Sequence, residues 1–327
     1  MALRAAVIGA GRRGRRHSEA LATLQDQVHV VAIAEVDVAR AKAIVATHAP
    51  TATVYADATE MLERTQPDIV YVTTPPPLHR EQAVAALRSG AHVVLEKPIA
   101  LTNEDAEAIG AAARQAGRLV HVCHQLRYVT GSAELRQALA NRKVALTHIW
   151  NYRPTPDIPG NWDRAWGGGH VVEWGIHYLD LCRYVLDTEP VEVYAQYTDN
   201  VLPGAPTWNN WDAYSLTIRW ANGAVGSYAS TYALSPGIAG ASGLVIIAGG
   251  GKAEFGWAGS TWTTPDGTQT WKGVSGEGER TLSQTFLAAI TTGNSSAVRQ
   301  SFDDALRTHR LVMAANASAL TGTPVRL

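Results

Sequence analysis

Two short segments of the sequence contain side chains suited to proton transfer. The first is Glu96-Lys97-Pro98, which follows the β-branched run His92–Leu95. The second is Glu173-Trp-Gly-Ile-His177, in which a carboxylate precedes an imidazole by four residues. Because residues four apart share one face of a helix, Glu173 is placed to fix the tautomer of His177 and leave it available as a base. An ordinary polar helix surface is the alternative. The preceding Gly167-Gly168-Gly169, which permits close approach of a ligand, favours the chemical interpretation.

A glycine motif near the start of the chain indicates the kind of ligand that Lys97 would face. The apolar run Ala5–Ile8 leads into Gly9-Ala-Gly11-Arg12-Arg13-Gly14, a GxGxxG motif. In such motifs the first glycine permits a tight turn, the second lets the backbone approach a pyrophosphate, and the third lets the helix pack on the strand. Phosphates bind at the positive helix N-terminus, and the arginines at 12, 13, 15 and 16 suit the same ligand. The motif and Glu-Lys-Pro together predict a dinucleotide domain that presents a catalytic lysine to a nicotinamide.

An acid follows the motif at the distance that ribose binding requires. Glu35 ends the run Val30–Ala34 and stands 21 residues after Gly14, close to the ~20 expected for a carboxylate that binds the ribose hydroxyls. A carboxylate there repels a 2′-phosphate, so the sequence favours NAD over NADP, although Arg13 and Arg40 partly offset the repulsion. A tight turn with a solvated acid is the alternative. Strand, glycines, helix and acid in this order favour the nucleotide site.

The elements that must position these residues alternate in the first part of the chain. Such alternation is typical of βαβ units and a parallel sheet. Gly90 and Gly117 are predicted to end their helices, and Thr102 to cap one. Strands are predicted at Leu3–Ile8, His29–Ala34, Ile69–Thr73, His92–Leu95 and Leu119–Cys123, with helices between them at Arg15–Leu24, Val38–Thr47, His79–Ser89 and Asn103–Ala116.

The second part of the chain has a different pattern. Successive strands without intervening helices predict an antiparallel or mixed sheet. All ten tryptophans lie between Trp150 and Trp271, which supports a separate domain. We predict a nucleotide domain over 1–122 and a substrate domain over 123–327. The predicted strands are Val191–Tyr197, Tyr214–Trp220, Ala224–Tyr232 and Leu244–Ala248, and the predicted helices are Val171–Leu186, Leu282–Thr291 and Phe302–Ala317.

The composition excludes several classes of partner. The formal net charge of −1 argues against nucleic acid or an anionic membrane surface. The two cysteines, Cys123 and Cys182, are too few for a disulfide framework and suit a reducing compartment. No apolar run reaches the ~18 residues of a membrane span, and the N-terminus lacks the pattern of a signal peptide. We expect a cytoplasmic protein with no membrane partner.

With these residues in view, the chain resembles the glucose–fructose oxidoreductase/inositol dehydrogenase (Gfo/Idh/MocA) family along nearly its whole length. The resemblance implies an α/β fold with an N-terminal Rossmann domain and a C-terminal α+β domain that contains a large, mostly antiparallel open sheet. Because that sheet usually forms an oligomer interface, we expect a homodimer or homotetramer. The motifs that carry the resemblance are the glycine motif, Thr73-Thr74-Pro75 with His79, Gly90–Pro98, Gln125–Tyr128, Gly167–Gly169, Glu173–Asp180 and Ser301–Leu327.

The resemblance also assigns roles to individual residues. A lysine and a histidine flank the reacting hydroxyl in the family pattern, so we expect His177 to act as general base and Lys97 to polarise the oxygen. Studied members usually carry aspartate four residues before the histidine, where this chain has Glu173, so a particular member's substrate does not transfer. The cofactor-binding residues implied are Gly9, Gly11, Arg12, Arg13, Gly14, Glu35, Thr73, Thr74, Pro75, His79, Glu96 and Lys97.

Further residues are predicted to contact the substrate beside Lys97, Glu173 and His177. Tryptophan faces pack well on the C–H faces of sugar rings, and core packing is the preferred interpretation for Trp220 and Trp257. The run His121-Val-Cys123-His124 lacks zinc spacing and sends its side chains to both faces of a strand, so we predict a structural cluster and no metal site. The additional substrate-binding candidates are Arg127, Tyr152, Arg153, Trp162, Trp166 and His170.

These observations predict an NAD-dependent oxidoreductase that transfers hydride between nicotinamide and a secondary alcohol of a sugar, cyclitol or sugar derivative. A redox-neutral NAD-dependent glycosidase, which oxidises the sugar transiently and eliminates the aglycone, is an open alternative on the same fold. A nucleotide-bound sensor without turnover is the third interpretation. It has no need of Lys97, His177 and an acid at 173, so we favour an enzyme.

Overall fold

A computed structural model describes residues 2–155, 163–199, 201 and 209–327. The chain divides into two compact units. Unit 1 comprises Met1–Gln125 and Gly276–Leu306, and unit 2 comprises Leu126–Ser275 and Arg307–Leu327. The polypeptide therefore returns to unit 1 at Gly276 and enters unit 2 again at Arg307.

Unit 1 contains a six-stranded parallel sheet, as predicted. The order β3-β2-β1-β4-β5-β6 reverses between β1 and β4, which is where dinucleotides bind in doubly wound sheets. The last four residues of β1 and all of β4 are buried, as expected when helices cover both faces of a parallel sheet. The strands are β1 (Leu3–Ile8), β2 (Val28–Ala34), β3 (Thr53–Tyr55), β4 (Ile69–Val72), β5 (His92–Leu95) and β6 (Val120–Val122).

Among the helices between these strands, α5 begins and ends at the predicted capping residues. Thr102 accepts a hydrogen bond from the Asp105 backbone N–H at the start of α5, and Gly117 ends that helix with φ of 62°. The elements β3 and α3 were not predicted, because a three-residue strand is too short to show a periodic pattern. The helices are α1 (Arg12–Ala22), α2 (Val38–His48), α3 (Ala58–Thr65), α4 (His79–Arg88) and α5 (Asn103–Ala116).

The segment Gly276–Leu306 differs from the predicted domain division, since it lies in unit 1. It contains α9 (Glu277–Thr292), and the Phe286 ring stacks on His121 of β6 with 5.4 Å between ring centroids. Tyr71 of β4 donates a hydrogen bond to Ser283 on the same helix. The apolar side of α9 is thus buried against the parallel sheet. A sequence boundary near 123 marks the first passage out of unit 1 but cannot reveal the return.

Unit 2 contains a nine-stranded sheet in the order β14-β13-β12-β11-β7-β10-β9-β8-β15. Neighbouring strands within this sheet pair antiparallel, except that β7 and β10 pair parallel. The prediction of a mostly antiparallel sheet is confirmed. The strands are β7 (Val144–Pro154), β8 (Pro190–Thr198), β9 (Ala213–Trp220), β10 (Val225–Leu234), β11 (Ala241–Ala248), β12 (Gly251–Gly256), β13 (Gly259–Thr264), β14 (Gly267–Lys272) and β15 (Val325–Arg326).

The central strands of this sheet have two distinct faces. On β10, Tyr228, Ser230 and Tyr232 are buried, whereas the alternating residues from Val225 to Thr231 are exposed or half-buried. We call the first the inner face and the second the outer face. The hydrophobic core of unit 2 lies on the inner face, where the predicted core residue Trp220 is 1% exposed.

The helix predicted at Val171–Leu186 begins with a π-helical turn, Val171–Gly175, and only then becomes α8 (Ile176–Leu186). Every residue of α8 is buried, so its polar residues face protein rather than solvent. Asp180 accepts two hydrogen bonds from Arg127. The other helices that contribute to unit 2 are α6 (Ser132–Leu139), α7 (Arg164–Gly167) and α10 (Phe302–Thr321), which crosses the unit boundary. Within the described ranges, no helix combines the length and apolar character needed to cross a membrane.

Candidate functional site

The three motif glycines in unit 1 have different steric surroundings. Gly9 has a φ of 95°, a conformation that favours glycine. A Cβ on Gly14 would lie 2.0 Å from the Gly9 carbonyl oxygen, so a side chain there is incompatible with the turn. A Cβ on Gly11 would meet no protein atom within 4 Å. Gly9 and Gly14 are therefore needed for the turn itself, whereas the space at Gly11 is available to a ligand.

Thr73, predicted to bind the cofactor, secures this turn from the neighbouring strand. Its hydroxyl lies 3.0 Å from the Ile8 carbonyl oxygen and 2.8 Å from that of Gly9, so it can donate to either. Thr73 is 8% exposed. Its side chain therefore acts within the protein, as an anchor for the glycine turn. Thr74 and Pro75, in the loop that follows, are half-buried and exposed, respectively.

The start of α1 and the end of β2 fit a dinucleotide. No side chain caps α1 at Gly11, and no acidic residue lies in its first turn, so its positive end is left for a phosphate. Arg12 in that turn is exposed. The Glu35 carboxylate accepts the backbone N–H of Ala10 at 2.6 Å, which places it beside the glycine turn. These residues would hold the pyrophosphate and the ribose of NAD.

Arg13 has partners inside unit 1. Its Nε donates to Glu96 at 2.7 Å, and its Nη1 donates to Glu279 of α9 at 3.0 Å. His17 of α1 donates from Nε2 to the same Glu96 oxygen at 2.8 Å. Arg13 and Glu96, both predicted to bind the cofactor, thus bind each other. The pair joins the glycine-turn helix to the loop that carries Lys97.

The Glu96 carboxylate is ionised in this setting. Burial by itself raises the pKa of a carboxyl group, but the Arg13 guanidinium and His17 hold the pKa of Glu96 well below its usual range. The second oxygen of Glu96 accepts the backbone N–H of Lys97 at 3.3 Å. Lys97 itself is half-buried, and the Lys97–Pro98 peptide bond is cis.

His79 connects the two loops that follow β4 and β5. Its Nδ1 lies 2.8 Å from the Pro98 carbonyl oxygen, and its Nε2 lies 2.8 Å from that of Thr74. The ring is fully buried, which lowers its pKa and favours the neutral form. His79 was predicted to bind the cofactor, and its observed contacts join the loop of Thr74 to the loop of Lys97 and Pro98.

A buried group in unit 1 combines ligand types that metals use. One ligand atom each from His17, Glu96 and Cys123 lies within 4.8 Å of the others. Arg13 donates to the same Glu96 oxygen, and its positive charge opposes a cation there. Burial raises the pKa of the Cys123 thiol well above its ordinary value, which keeps it protonated. We therefore assign no metal to this group. The predicted structural cluster around Cys123 is divided, since His121 packs on Phe286 and His124 bonds Gln300.

In unit 2, the second predicted catalytic segment is set among aromatic rings. Glu173 lies in the π-helical turn and is half-buried, and His177 lies in the first turn of α8 and is 6% exposed. The His177 ring lies 6.1 Å from the Trp174 ring and 5.7 Å from the Trp257 ring, both at steep angles. We call Trp174, His177, Tyr178 and Trp257 the aromatic cluster. Trp257, predicted to be a core residue, is 41% exposed.

Arg153, predicted to contact the substrate, also reaches this cluster. Its guanidinium lies 3.5 Å from the centroid of the Trp174 ring, a close cation–π contact. Its Nε donates to Asn151 two residues earlier on the inner face of β7 at 2.7 Å. Arg153 thus covers one side of Trp174, and the strand holds it in place.

His170 is buried next to the π-helical turn with both nitrogens engaged. Its Nε2 donates to the Trp211 carbonyl oxygen at 2.5 Å, and its Nδ1 accepts from the Ser230 hydroxyl at 2.9 Å. Its ring stacks on Tyr232 with 4.1 Å between centroids. Burial lowers the pKa of His170 to about 4. His170 was predicted to contact the substrate, and both of its ring nitrogens are engaged in hydrogen bonds within unit 2.

The remaining substrate candidates lie in separate places. Arg127 is 3% exposed and holds Asp180 in a two-bond ion pair within unit 2. Tyr152 alternates with Asn151 along β7 and so belongs to the outer face, away from the aromatic cluster. Trp166 is 43% exposed on the short helix α7. Trp162 lies outside the described residues.

Two signals in the sequence identify residues that were missed. Trp174 is three residues before His177, the spacing of neighbours on one helix face. Trp257 stands in Gly256-Trp-Ala-Gly259, where a bulky aromatic residue occupies a turn. The link between His17 and Glu96 had no such signal, because 79 residues separate them.

The geometry of unit 1 is that of a dinucleotide-binding domain, and family comparisons give the same class. Residues 3–124 match the model described as the GFO/IDH/MocA oxidoreductase family, NAD-binding Rossmann fold, and residues 141–249 match the GFO/IDH/MocA C-terminal domain. Together the matches cover more than half of the chain. The protein belongs to the GFO/IDH/MocA oxidoreductase family, and the family's dinucleotide is NAD.

Two relatives with similar sequences are named as enzymes that act on sugars. D-glucoside 3-dehydrogenase of Escherichia coli (strain K12) is 27% identical over 251 residues, which are 71% of this chain and 71% of that protein. 1,5-anhydro-D-fructose reductase of Ensifer adhaerens is 37% identical over 134 residues, but these span only 39% of this chain and 40% of that protein's length. The structure of levoglucosan dehydrogenase in complex with NADH has the same fold, with a TM-score of 0.87 and 22% identity over 100% of this chain and 99% of that one.

Substitution of Gly11 and Gly14 by alanine separates ligand binding from folding. Gly11→Ala meets open space at a φ of −70°, so we expect its free energy of unfolding to change by less than about 0.5 kcal/mol. The new methyl group then stands where the pyrophosphate backbone contact forms, and the Kd for NADH rises at least about tenfold. Gly14→Ala must displace the Gly9 carbonyl and lowers the free energy of unfolding by about 2 kcal/mol or more. Chemical denaturation and NADH fluorescence titration measure both quantities. Unchanged NADH affinity in Gly11→Ala contradicts the placement of the cofactor.

The buried His170 makes unit 2 sensitive to acid. Its pKa is about 4 in the folded protein against 6.5 ordinarily, so above pH 6.5 neither state takes up a proton. Between pH 6.5 and 4 the unfolded chain binds a proton that the folded chain does not, and stability falls by about 2 kcal/mol at pH 5. In His170→Gln this loss is absent, whereas the exposed control His29→Gln retains it. Denaturation midpoints at pH 7 and pH 5 test this. Equal acid sensitivity of His170→Gln and the unsubstituted protein refutes it.

Proposed function

We propose that this protein is an NAD-dependent dehydrogenase that oxidises a secondary alcohol of a sugar, cyclitol or sugar derivative. The observation that carries the proposal is the setting of His177, a nearly buried imidazole between two tryptophans in a chain whose first unit is an NAD-binding domain. Indole rings present the apolar surface that the C–H faces of sugars require, beside a group that can accept a proton. The sugar relatives support the same substrate class.

The reaction divides into a hydride transfer and a proton transfer. Bound NAD⁺ supplies the acceptor for the hydride that leaves the carbinol carbon. We assign His177 as the group that accepts the hydroxyl proton at a ring nitrogen, so that the alcohol becomes a ketone. Lys97 provides a positive charge that stabilises the oxygen as negative charge develops on it. Glu173, one helical turn before His177, orients the imidazole and stabilises its protonated form.

Glu96, Arg13 and His79 support Lys97 in this proposal without touching the substrate. The Glu96 carboxylate accepts the Lys97 backbone N–H, and His79 holds the adjacent Pro98 carbonyl. Both groups act on the lysine loop's backbone rather than on its side chain. They position the ammonium group and limit its freedom, which is the requirement for a preorganised electrostatic contact.

We further propose that the outer face of the unit 2 sheet joins two copies of this chain. Leu146 and Val225 are paired across β7 and β10 and are 38% and 55% exposed. Trp150 lies on the same face and covers Gly243 of β11. Polar side chains such as His148 and Ser227 lie between these apolar ones, and exposed apolar side chains set in a mixed surface suit a protein–protein interface. The buried, unpaired state of Cys123 and Cys182 fits the reducing cytoplasm as the place of action.

Lys97→Ala and His177→Ala test the catalytic assignment. Each variant loses a group that acts in the transition state, so we expect kcat to fall at least about 100-fold. The glycine turn is untouched, and the Kd for NADH should stay within about threefold. The exposed residues Lys42 and His29 provide the controls Lys42→Ala and His29→Ala. Initial rates of NADH formation with a panel of free sugars, cyclitols and glycosides measure the effect.

The outcomes of this assay separate the candidate functions. Full activity of Lys97→Ala or His177→Ala removes the proposed mechanism. Release of an aglycone without net NADH identifies the redox-neutral glycosidase instead. NADH binding without turnover of any compound in the panel identifies a sensor and overturns the dehydrogenase.

The double variant Leu146→Lys/Val225→Lys tests the proposed interface. Each copy would bring two unpaired ammonium groups to the contact, and burying them is strongly unfavourable, so we expect the oligomer to dissociate to monomers in sedimentation velocity experiments. Val274→Lys, at a site 69% exposed in a loop, is the matched control and should leave the assembly intact. A double variant that sediments like the unsubstituted protein places the interface elsewhere.

A further inference from the structure

Trp257 occupies a position where a large aromatic residue is unusual. Trp257 and Ala258 form the two-residue turn between β12 and β13, and Gly256 pairs with Gly259 across it. Two-residue hairpins favour Asn-Gly, Asp-Gly or Gly-rich pairs, because their central positions need positive φ. Neither Trp257 nor Ala258 is among the described residues with positive φ. The turn therefore departs from the chemistry that suits its length, and such departures concentrate at functional sites.

The exposure of Trp257 is not explained by the hairpin that carries it. Phe255 and Trp262 on the same two strands are 3% and 4% exposed and complete the core of unit 2. Trp257 is 41% exposed although its ring contacts other aromatic rings. It is steeply inclined to His177 at 5.7 Å, to Trp174 at 5.9 Å and to Tyr178 at 6.5 Å. Three contacts fix its orientation and leave a large part of the indole open beside the imidazole.

Trp174 cannot offer the same surface. The Arg153 guanidinium lies 3.5 Å from its ring centroid and so covers one of its faces. Its other inclined contacts are to His177 and Trp257. Trp174 thus acts as a wall of the aromatic cluster, and Trp257 is the member with a large open surface.

We propose that Trp257 is the specificity-determining residue of the substrate site and binds the apolar C–H face of a pyranose ring. This inference rests on the proposed dehydrogenase function and names its substrate class. An indole fixed next to His177 would hold one face of a pyranose chair at a defined distance from the imidazole. Rings with equatorial hydroxyls present axial C–H groups to the indole. A ring with an axial hydroxyl on that face would press a polar group against it without a hydrogen-bond partner.

In this role Trp257 discriminates between epimers of the sugar ring. Loss of the indole removes the apolar contact for the equatorial ring and relieves the penalty for the axial one. The preference for an equatorial over an axial epimer therefore shrinks when Trp257 is replaced. A residue that only packed the hairpin would lower stability and would not change this ratio.

The test uses the full-length protein with NAD and two probes, methyl β-D-glucopyranoside and methyl β-D-galactopyranoside. In Trp257→Ala we expect the KM for the glucoside to rise about tenfold, with kcat within about threefold and the KM for NAD unchanged. Trp257→Phe keeps part of the ring surface and gives an intermediate KM, and it remains informative if the alanine variant does not fold. Trp271→Phe, on the neighbouring strand β14, removes an indole elsewhere in the sheet and leaves all constants unchanged.

Each outcome bears on one claim. An unchanged glucoside KM and unchanged epimer ratio in both Trp257 variants overturn the inference while leaving the dehydrogenase intact. If the unsubstituted protein forms no NADH with any sugar, the proposed function fails first. Fluorescence titration of the NAD complex with the glucoside then decides the binding claim. A Kd for the glucoside that rises in Trp257→Phe but not in Trp271→Phe supports the subsite, and absence of any sugar-dependent signal in the unsubstituted protein overturns it.

Discussion

The arrangement of unit 1 depends on one buried carboxylate. Glu96 is 3% exposed and ionised, and it accepts hydrogen bonds from Arg13 and His17 of α1 and from the Lys97 backbone. A buried charge without such partners costs several kcal/mol, so these groups must stay together for the unit to fold. Arg13 extends the link to Glu279 on α9. The glycine-turn helix, the lysine loop and the returning segment are thereby held in one geometry.

Unit 2 achieves a comparable restraint with rings and a buried helix. A π-helical turn precedes α8, and turns of this kind are frequent at functional sites. Glu173 lies in this turn, and the Trp174 and Trp257 rings pack against the His177 imidazole. His170, bonded to Ser230 and to the Trp211 carbonyl, attaches the start of this segment to the sheet. The proposed base therefore stands on a rigid support rather than on a loop.

In the proposed reaction, unit 1 binds the cofactor and unit 2 binds the substrate. The open space at Gly11, the uncapped start of α1 and Glu35 suit a dinucleotide of any such oxidoreductase. Nothing in that set selects a sugar. We assign selection to unit 2, whose sequence contains all ten tryptophans of the chain and in which the Trp257 indole is 41% exposed. The same nucleotide domain can thus serve many substrates through changes in the second sheet.

Local pattern alone was sufficient to predict the βαβ order, the glycine turn and the cap at Thr102, because each depends on residues close in the chain. The same holds for Lys97 and His177 as candidates, since their residue types and neighbours indicate chemistry. Tertiary structure alone decided the return of Gly276–Leu306 to unit 1, the pairing of Arg13 with Glu96 and the approach of Trp257 to His177. Only the tertiary structure shows that Tyr152 lies on the outer face and that His170 and Arg127 have hydrogen-bond partners within the protein. Contacts between residues far apart in sequence depend on which apolar surfaces of the helices and strands pack against each other. The periodic pattern of one segment shows which of its faces is buried, but it does not show which other segment covers that face.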